Sequence, residues 1–280
     1  MRETKPRRFI SLNESSIFFK KFLEKKEKTA VLSGAGISVG SGIPSYRNAQ
    51  GEWKAGKPVA HQDFVKNEHT RQRYWLRSYA GWRRIKEAQP SKAHVALQRL
   101  EAKGKISTII TQNVDRLHQA AGSKNVLDLH GRLDRVTCLS CSKIFSRNFI
   151  QGMLKKQNPF LEESENINPD GDANIESSFT HHLKTPLCQT CGGILKPDVV
   201  FFGDSVNKTL VEKAYHSVAS ADSLIVIGTS LSIFSGYRFL RQAAKLKLPV
   251  IVINPGRFRG EELADIHLAH KADEVLSLLL

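Results

Sequence analysis

The four cysteines fall as two identical knuckles, Cys138-x-x-Cys141 and Cys188-x-x-Cys191. In a chain of 280 residues whose start lacks the apolar core and cleavage site of a secretory signal, they make a poor disulfide framework. Each knuckle presents two thiolates about one turn apart, and two knuckles together supply the four sulfur ligands of one tetrahedral zinc ion. Four thiolates leave no open position for water or substrate, so this zinc is expected to be structural. The 46 residues between the pairs exceed the usual spacing. Within them Asn158 to Asp172, rich in Asn, Glu, Pro and Gly, reads as a loop excursion.

A second cluster is built of glycine. The apolar stretch Lys28 to Leu32 feeds Ser33-Gly34-Ala-Gly36-Ile-Ser38, then Gly40 and Gly42. A strand ending in closely spaced glycines lets backbone N–H groups approach a pyrophosphate. Here the third glycine comes four residues after the second, so the standard dinucleotide fingerprint is broken and a plain tight turn fits as well. His130, in Leu127-Asp-Leu-His130-Gly131, stands at an expected strand end, where a titrating imidazole could act as a base or serve only structure. His61 and His94 carry no stronger signal by spacing, and His181-His182 falls in the excursion.

The elements that must position these residues are short apolar runs rich in Val and Ile. Ile106 to Thr111 ends in Gln112-Asn113-Val114-Asp115, Ser223 to Ile227 in Gly228-Thr229-Ser230, and Pro249 to Ile253 in Asn254-Pro255-Gly256. Such runs, separated by helical patterns, predict a parallel sheet covered on both faces. Ligands of these sheets gather beyond the carboxyl ends of the strands. Four strands ending in polar or glycine clusters at one edge favour a nucleotide site.

Composition narrows the class. Hydrophobic residues at 40% and charged residues at 25% describe a chain able to bury a core. No charge-free stretch reaches the roughly 20 mostly apolar residues of a spanning helix, so no membrane role is expected. The formal charge of +15 lies in the N-terminal half: residues 1–28 carry nine Lys/Arg against four acids, and residues 47–105 fourteen against five. Residues 142–187, around the cysteines, are near neutral with five against six. A zinc-ribbon nucleic-acid-binding protein would concentrate charge there, so nucleic acid is not the expected partner. Arg71 to Arg84 interleaves bases and aromatics, but reads best as an amphipathic helix packing Tyr74, Trp75, Leu76, Tyr79 and Trp82 inward while the arginines reach solvent. A helix over about 13 to 28, with Ser11-x-x-Glu14 as its capping box, is expected to lie over Ile17, Phe18 and Phe22.

Taken in order, Gly34-Ala-Gly-Ile-Ser38, Gly42-Ile-Pro-Ser-Tyr-Arg47, Gln112-Asn-Val-Asp115, Leu129-His-Gly131, both cysteine pairs, Lys196-Pro-Asp-Val-Val-Phe-Phe-Gly203, Gly228-Thr-Ser230 and Asn254-Pro-Gly256 resemble the sirtuins, NAD-dependent protein deacylases. The resemblance spans roughly residues 14 to 280. Tyr74 to Trp82 and the excursion with Pro169-Asp-Gly-Asp172 are similar to the class II branch, which holds bacterial members and the mitochondrial lipoamidase type. Ser45 departs from the Asp of many members.

The resemblance implies an α/β fold: a Rossmann-like parallel sheet with helices on both faces, plus a smaller zinc-binding lobe. The large domain would comprise about 14–50, 86–135 and 197–280. The small lobe would comprise about 136–196 with 51–85. It implies NAD as co-substrate and one structural zinc on Cys138, Cys141, Cys188 and Cys191. Gly34, Ala35, Gly36, Ile37 and Ser38 would cradle the pyrophosphate, with Tyr46, Arg47 and Trp53 on the cofactor loop. Gln112, Asn113, Val114 and Asp115 would face the nicotinamide ribose and carboxamide. Gly228, Thr229, Ser230, Asn254, Pro255, Gly256 and Ala272 would hold the adenosine half. His130 is implied as the catalytic base, with Asn113 and Arg47 as its catalytic companions. Val200, Phe201, Phe202 and Gly203 would bind the substrate peptide as an added strand.

The implied products are free lysine, nicotinamide and O-acyl-ADP-ribose. Protein mono-ADP-ribosyl transfer would use the same pocket. The partners expected are acyl-lysine proteins acted on by a monomer, located in the cytoplasm, or in the mitochondrial matrix for a eukaryotic source.

Overall fold

The computed structural model describes residues 6–45, 59–164, 172–173 and 180–280. Tyr46, Arg47, Trp53 and Pro169 to Gly171 lie outside the described residues. In chain order the elements are β1 (Arg7–Phe9), α1 (Leu12–Glu24), β2 (Thr29–Ser33), α2 (His61–Lys66), α3 (Glu68–Glu87), α4 (Lys92–Ala102), β3 (Ile106–Thr111), α5 (Leu117–Ala120), β4 (Val126–Asp128) and β5 (Gly131–Cys138). They continue with β6 (Ile144–Ser146), α6 (Arg147–Gln157), β7 (Leu195–Val199), α7 (Lys208–Ala219), β8 (Ser223–Ile227), α8 (Phe234–Lys245), β9 (Val250–Ile253), β10 (Ile266–Leu268) and α9 (Ala272–Leu276).

Seven strands form one sheet in the order β1-β10-β9-β8-β2-β3-β4, and every pairing is parallel. From β4 to β10 this is the doubly wound order, in which the chain leaves the first central strand in one direction and later resumes on its other side. That reversal lies between β2 and β8 and opens a crevice beyond their carboxyl ends. Side chains alternate between two apolar cores. Val31, Ile225 and Ile251 face α1, α4 and α9, while Leu32, Val226 and Val252 face α7 and α8. Apolar residues on both faces explain why these strands read as continuous hydrophobic runs.

A second, antiparallel sheet of order β6-β5-β7 carries the cysteines. Its apolar face packs against Phe64 of α2, Tyr74, Trp75, Leu76 and Tyr79 of α3, and Ile150 and Leu154 of α6. The aromatics of α3 point inward as its pattern predicts, and Trp82 is buried as well. No described helix is long and apolar enough to cross a membrane.

Helix α1 differs from expectation. Ser11 caps it by accepting from the Glu14 N–H at 3.5 Å, but it stops at Glu24. It stops there because the Glu27 and Lys28 amides are captured by the Asp222 carboxylate at 2.8 and 3.1 Å. Its buried row is Ser15, Phe19 and Leu23; Phe18 and Phe22 pack at the margin, and Ile17 is 49% exposed.

Candidate active site and metal centre

The strand ends meet where the glycines permit. The Gly34 N–H donates to the Ile227 carbonyl at 3.0 Å and the Gly36 N–H to the Gly228 carbonyl at 2.8 Å. A Cβ on Gly36 would lie 2.7 Å from the Gly228 Cα, closer than any side chain tolerates. These two N–H groups are therefore engaged by the neighbouring turn. The glycines serve the close approach of two loops, which shapes the crevice floor.

Beyond them opens a cavity of about 1010 Å³. Gly34, Ala35 and Gly36 line it, as do Gln112, Asn113 and Val114, Gly228, Thr229 and Ser230, Asn254, Pro255 and Gly256, Ala272, His130, and Val200 through Gly203. All four strand ends singled out by sequence thus converge on one space. Three expected residues do not reach its wall. Ile37 is fully buried in the core beneath, and Ser38 and Asp115 are turned toward each other. The Ser38 hydroxyl donates to Asp115 Oδ2 at 2.7 Å and accepts from Asn113 Nδ2 at 3.0 Å, while Asp115 Oδ1 accepts from the Leu117 N–H. Burial pushes the Asp115 carboxyl up from its ordinary value, against the pull of those two donors. In this structure Asp115 anchors Asn113 through Ser38.

His130 sits between β4 and β5, where Gly131 at φ +82 turns the chain sharply; a Cβ there would lie 2.1 Å from the Asp198 carbonyl oxygen. Its Nδ1 lies 3.0 Å from the Gln112 carbonyl and its Nε2 2.7 Å from Ser235 Oγ. A carbonyl can only accept, so the ring proton belongs on Nδ1 and Nε2 offers its lone pair. Burial drives the imidazole down to about 4, the Gln112 carbonyl pulls it back up, and the Arg238 charge pushes it lower. The surroundings therefore keep the ring neutral well below the ordinary histidine value near 6.5, where an exposed imidazole would be protonated.

The peptide-like segment is pinned from both sides. β7 ends at Val199, after which the Val200 N–H donates to the His130 carbonyl at 2.9 Å and the Phe202 carbonyl accepts from the His61 N–H at 2.8 Å. It is not a buried strand: Val200 and Phe201 are half-buried and Phe202 is 40% exposed. The buried Lys196 ammonium supports it, 3.2 Å from the Asp204 carboxylate, 4.5 Å from the Phe201 ring centroid and bonded to the Val199 carbonyl. Burial lowers the lysine's affinity for its proton, and Asp204 raises it again. His61 joins the same carboxylate at 3.3 Å. His94 is structural, closing the capping box of α4 with Ser91. His181 stacks on His69 with centroids 4.4 Å apart.

Sequence reasoning missed the first turn of α8 and the cations around the cavity. Ser235, Arg238, Arg257 and Lys271 all line it. Their signal was position: each follows closely on a strand-end cluster already singled out, or abuts Ala272.

The four cysteine sulfurs lie within 4.8 Å of one another, with Cys138 to Cys191 at 3.5 Å and Cys141 to Cys188 at 3.7 Å. A zinc ion about 2.3 Å from each of four sulfurs spaces them about 3.8 Å apart, so the donor set fits zinc. Cys138 and Cys188 are buried against Val136 and Leu195, while Cys141 and Cys191 are solvent-exposed residues whose sulfurs turn in toward that pair.

Known proteins agree with this geometry. A "NAD-dependent protein deacetylase 2" of Bradyrhizobium diazoefficiens is 45% identical over 260 residues, covering 92% of this chain and 95% of the relative. "NAD-dependent protein deacylase Sirt4" of Drosophila melanogaster is 44% identical over 262 residues, covering 92% and 84%. A solved structure described as "Sir2-p53 peptide-NAD+" superposes with a TM-score of 0.74 at 27% identity, covering 92% of this chain and 94% of that one. Residues 34–235 match the Sir2 family. With its glycine-linked crevice, its half-buried histidine and its four-sulfur knuckle pair, the chain belongs to the Sir2 family, the sirtuins.

Proposed function

We infer that the chain is an NAD-dependent protein-lysine deacylase that releases free lysine, nicotinamide and O-acyl-ADP-ribose. The observation that carries the residue assignments is a neutral imidazole, His130, placed where the cavity of the parallel sheet meets the Val200–Gly203 segment. NAD supplies a ribose whose bond to a cationic leaving group breaks readily, so the weakly nucleophilic amide oxygen of an acyl-lysine can capture it.

The chain's own groups do the rest. Gly34 to Gly36 with Gly228 to Ser230 receive the dinucleotide, and Asn254 to Gly256 with Ala272 enclose its adenosine end. Asn113, steadied through Ser38, faces the nicotinamide side, and Val200 to Gly203 align the peptide backbone. His130 takes a ribose hydroxyl proton on Nε2, and the Gln112 carbonyl stabilises the imidazolium through Nδ1–H. Cys138, Cys141, Cys188 and Cys191 would hold a zinc ion that braces the turns beside β5 and β7 and supplies no chemistry to the reaction. Tyr46, Arg47 and Trp53 are assigned to the cofactor loop by family likeness alone. The class II assignment rests on Tyr74 to Trp82 and the inter-cysteine excursion. The same reading makes the enzyme a cytoplasmic monomer in a bacterial source.

The test is an acyl-lysine peptide panel with NAD, followed by product analysis of wild type and His130→Ala. Turnover should fall by about 10²-fold or more in the variant, with one zinc per chain retained. ADP-ribosylated protein in place of O-acyl-ADP-ribose would reassign the activity, and near wild-type turnover would remove His130 as the base.

A further inference from the structure

The nitrogen that must receive the ribose proton already has a partner. Ser235, the second residue of α8, lies with Oγ 2.7 Å from His130 Nε2; it is 8% exposed and lines the cavity. Because the Gln112 carbonyl fixes the ring proton on Nδ1, the hydrogen in the Nε2···Oγ contact is the serine's own, and the hydroxyl donates. Its two lone pairs remain to accept from another hydroxyl. The serine is held in place by backbone packing. A Cβ on Gly236 would lie 2.8 Å from Gln112 Cδ, so the first turn of α8 sits directly on the residue that orients the ring. Gln112 Nε2 in turn donates to Thr229 Oγ1 at 3.1 Å, tying the same residue to the β8 turn.

We propose that Ser235 carries the proton from the ribose hydroxyl to His130. The inference rests on His130 as the base. In the step, the ribose O–H bond breaks and its proton forms a new bond to Ser235 Oγ, while the serine's original proton moves to Nε2. Serine ends neutral as it began, His130 becomes an imidazolium facing the Gln112 carbonyl, and the electron pair stays on the ribose oxygen for its attack. Arg238, one turn further along α8 on the same cavity wall, places a second positive charge near the ring. That charge favours prompt release of the proton once the acyl group has moved.

The test compares Ser235→Ala and Ser235→Thr with wild type on an acetyl-lysine peptide, using the whole chain with zinc bound. Deacylation is measured beside exchange of labelled nicotinamide into NAD, which reads the bond cleavage that precedes proton removal. Ser235→Ala should lower deacylation about tenfold or more relative to exchange, and Ser235→Thr should recover part of the loss. Independently of turnover, the ¹⁵N resonance of His130 Nε2 in Ser235→Ala should move toward that of an unbonded imidazole nitrogen. Equal falls in both assays would make Ser235 merely structural. A faster deacylation or a lower KM for NAD would make it a competitor for Nε2. Either result overturns the proposal. An active His130→Ala would sink the base assignment itself, whereas a dead His130→Ala beside a fully active Ser235→Ala would sink only the relay.

Discussion

Strands β2, β8 and β9 bury every one of their residues, whereas β5 buries only Leu133, Val136 and Cys138 and β6 buries none. The first group lies between two apolar cores and needs little besides burial to hold its shape. The second covers one face only, and its filling includes thiols and a cation. Arg147 is 1% exposed, with guanidinium carbon 5.5 Å and 5.1 Å from the ring centroids of Trp75 and Trp82. It donates to the Ser78 carbonyl at 3.1 Å and to Gln151 Oε1 at 2.6 Å, and burial drags it down to about 10. The two sheets should therefore fail under different insults: the antiparallel one to loss of metal or cation, the parallel one to acid.

The largest expected effect is Cys188→Ala. Opening the sulfur tetrahedron should abolish stoichiometric zinc and expose β5 to β7 to proteolysis, while hydrogen exchange in β2 and β8 changes far less. Uniform loss of protection in both sheets would erase the distinction.

Arg147→Ala comes next. It leaves the Ser78 carbonyl without its guanidinium donor and opens space between two tryptophans, a loss of about 3 kcal/mol in urea unfolding. A loss under about 1 kcal/mol would mean that water or neighbouring side chains fill the space freely.

The smallest effect tests the parallel sheet. His94 and His118 are buried, their ring centroids are 4.7 Å apart, and His118 accepts or donates at Ser33 Oγ at 2.8 Å. Burial depresses His118 to about 3 and His94 well below its ordinary value. Unfolding frees both rings to bind protons near pH 6.5, so their contribution is complete above that pH and is lost as pH falls through it toward the folded values. Between pH 7 and 5.5 the pair should cost on the order of 2 kcal/mol, seen as lower amide protection factors in β2 and β3 once the slower intrinsic exchange at the lower pH is divided out. Constant protection across that window would contradict neutral burial.

The parallel strands were legible because two-sided burial writes itself as an apolar run: β3 and β8 span the Ile106–Thr111 and Ser223–Ile227 runs from end to end. Helix α1 shows where that signal runs out. Phe18, Phe19, Phe22 and Leu23 are all apolar, and only the neighbouring α9 and β1 decide that Phe19 and Leu23 point inward. In the site, His130 stood out through its family context, while Ser235 was marked only by following the Gly228–Ser230 cluster and meets its partner 105 positions away. The family likeness implied that Asp115 faces the nicotinamide half. Its carboxylate is instead claimed by Ser38 and the Leu117 amide, local bonds that a linear reading does not weigh.

The interlock of Gly36 and Gly228 has an evolutionary corollary. Each is crowded by the other's main chain, so a bulkier residue at one position cannot be rescued by trimming its counterpart. The pair behaves as a single locus with one permitted state. Attempts to reshape coenzyme preference have no latitude at this seam and must act on the rim, where Arg257 and Lys271 have room to vary.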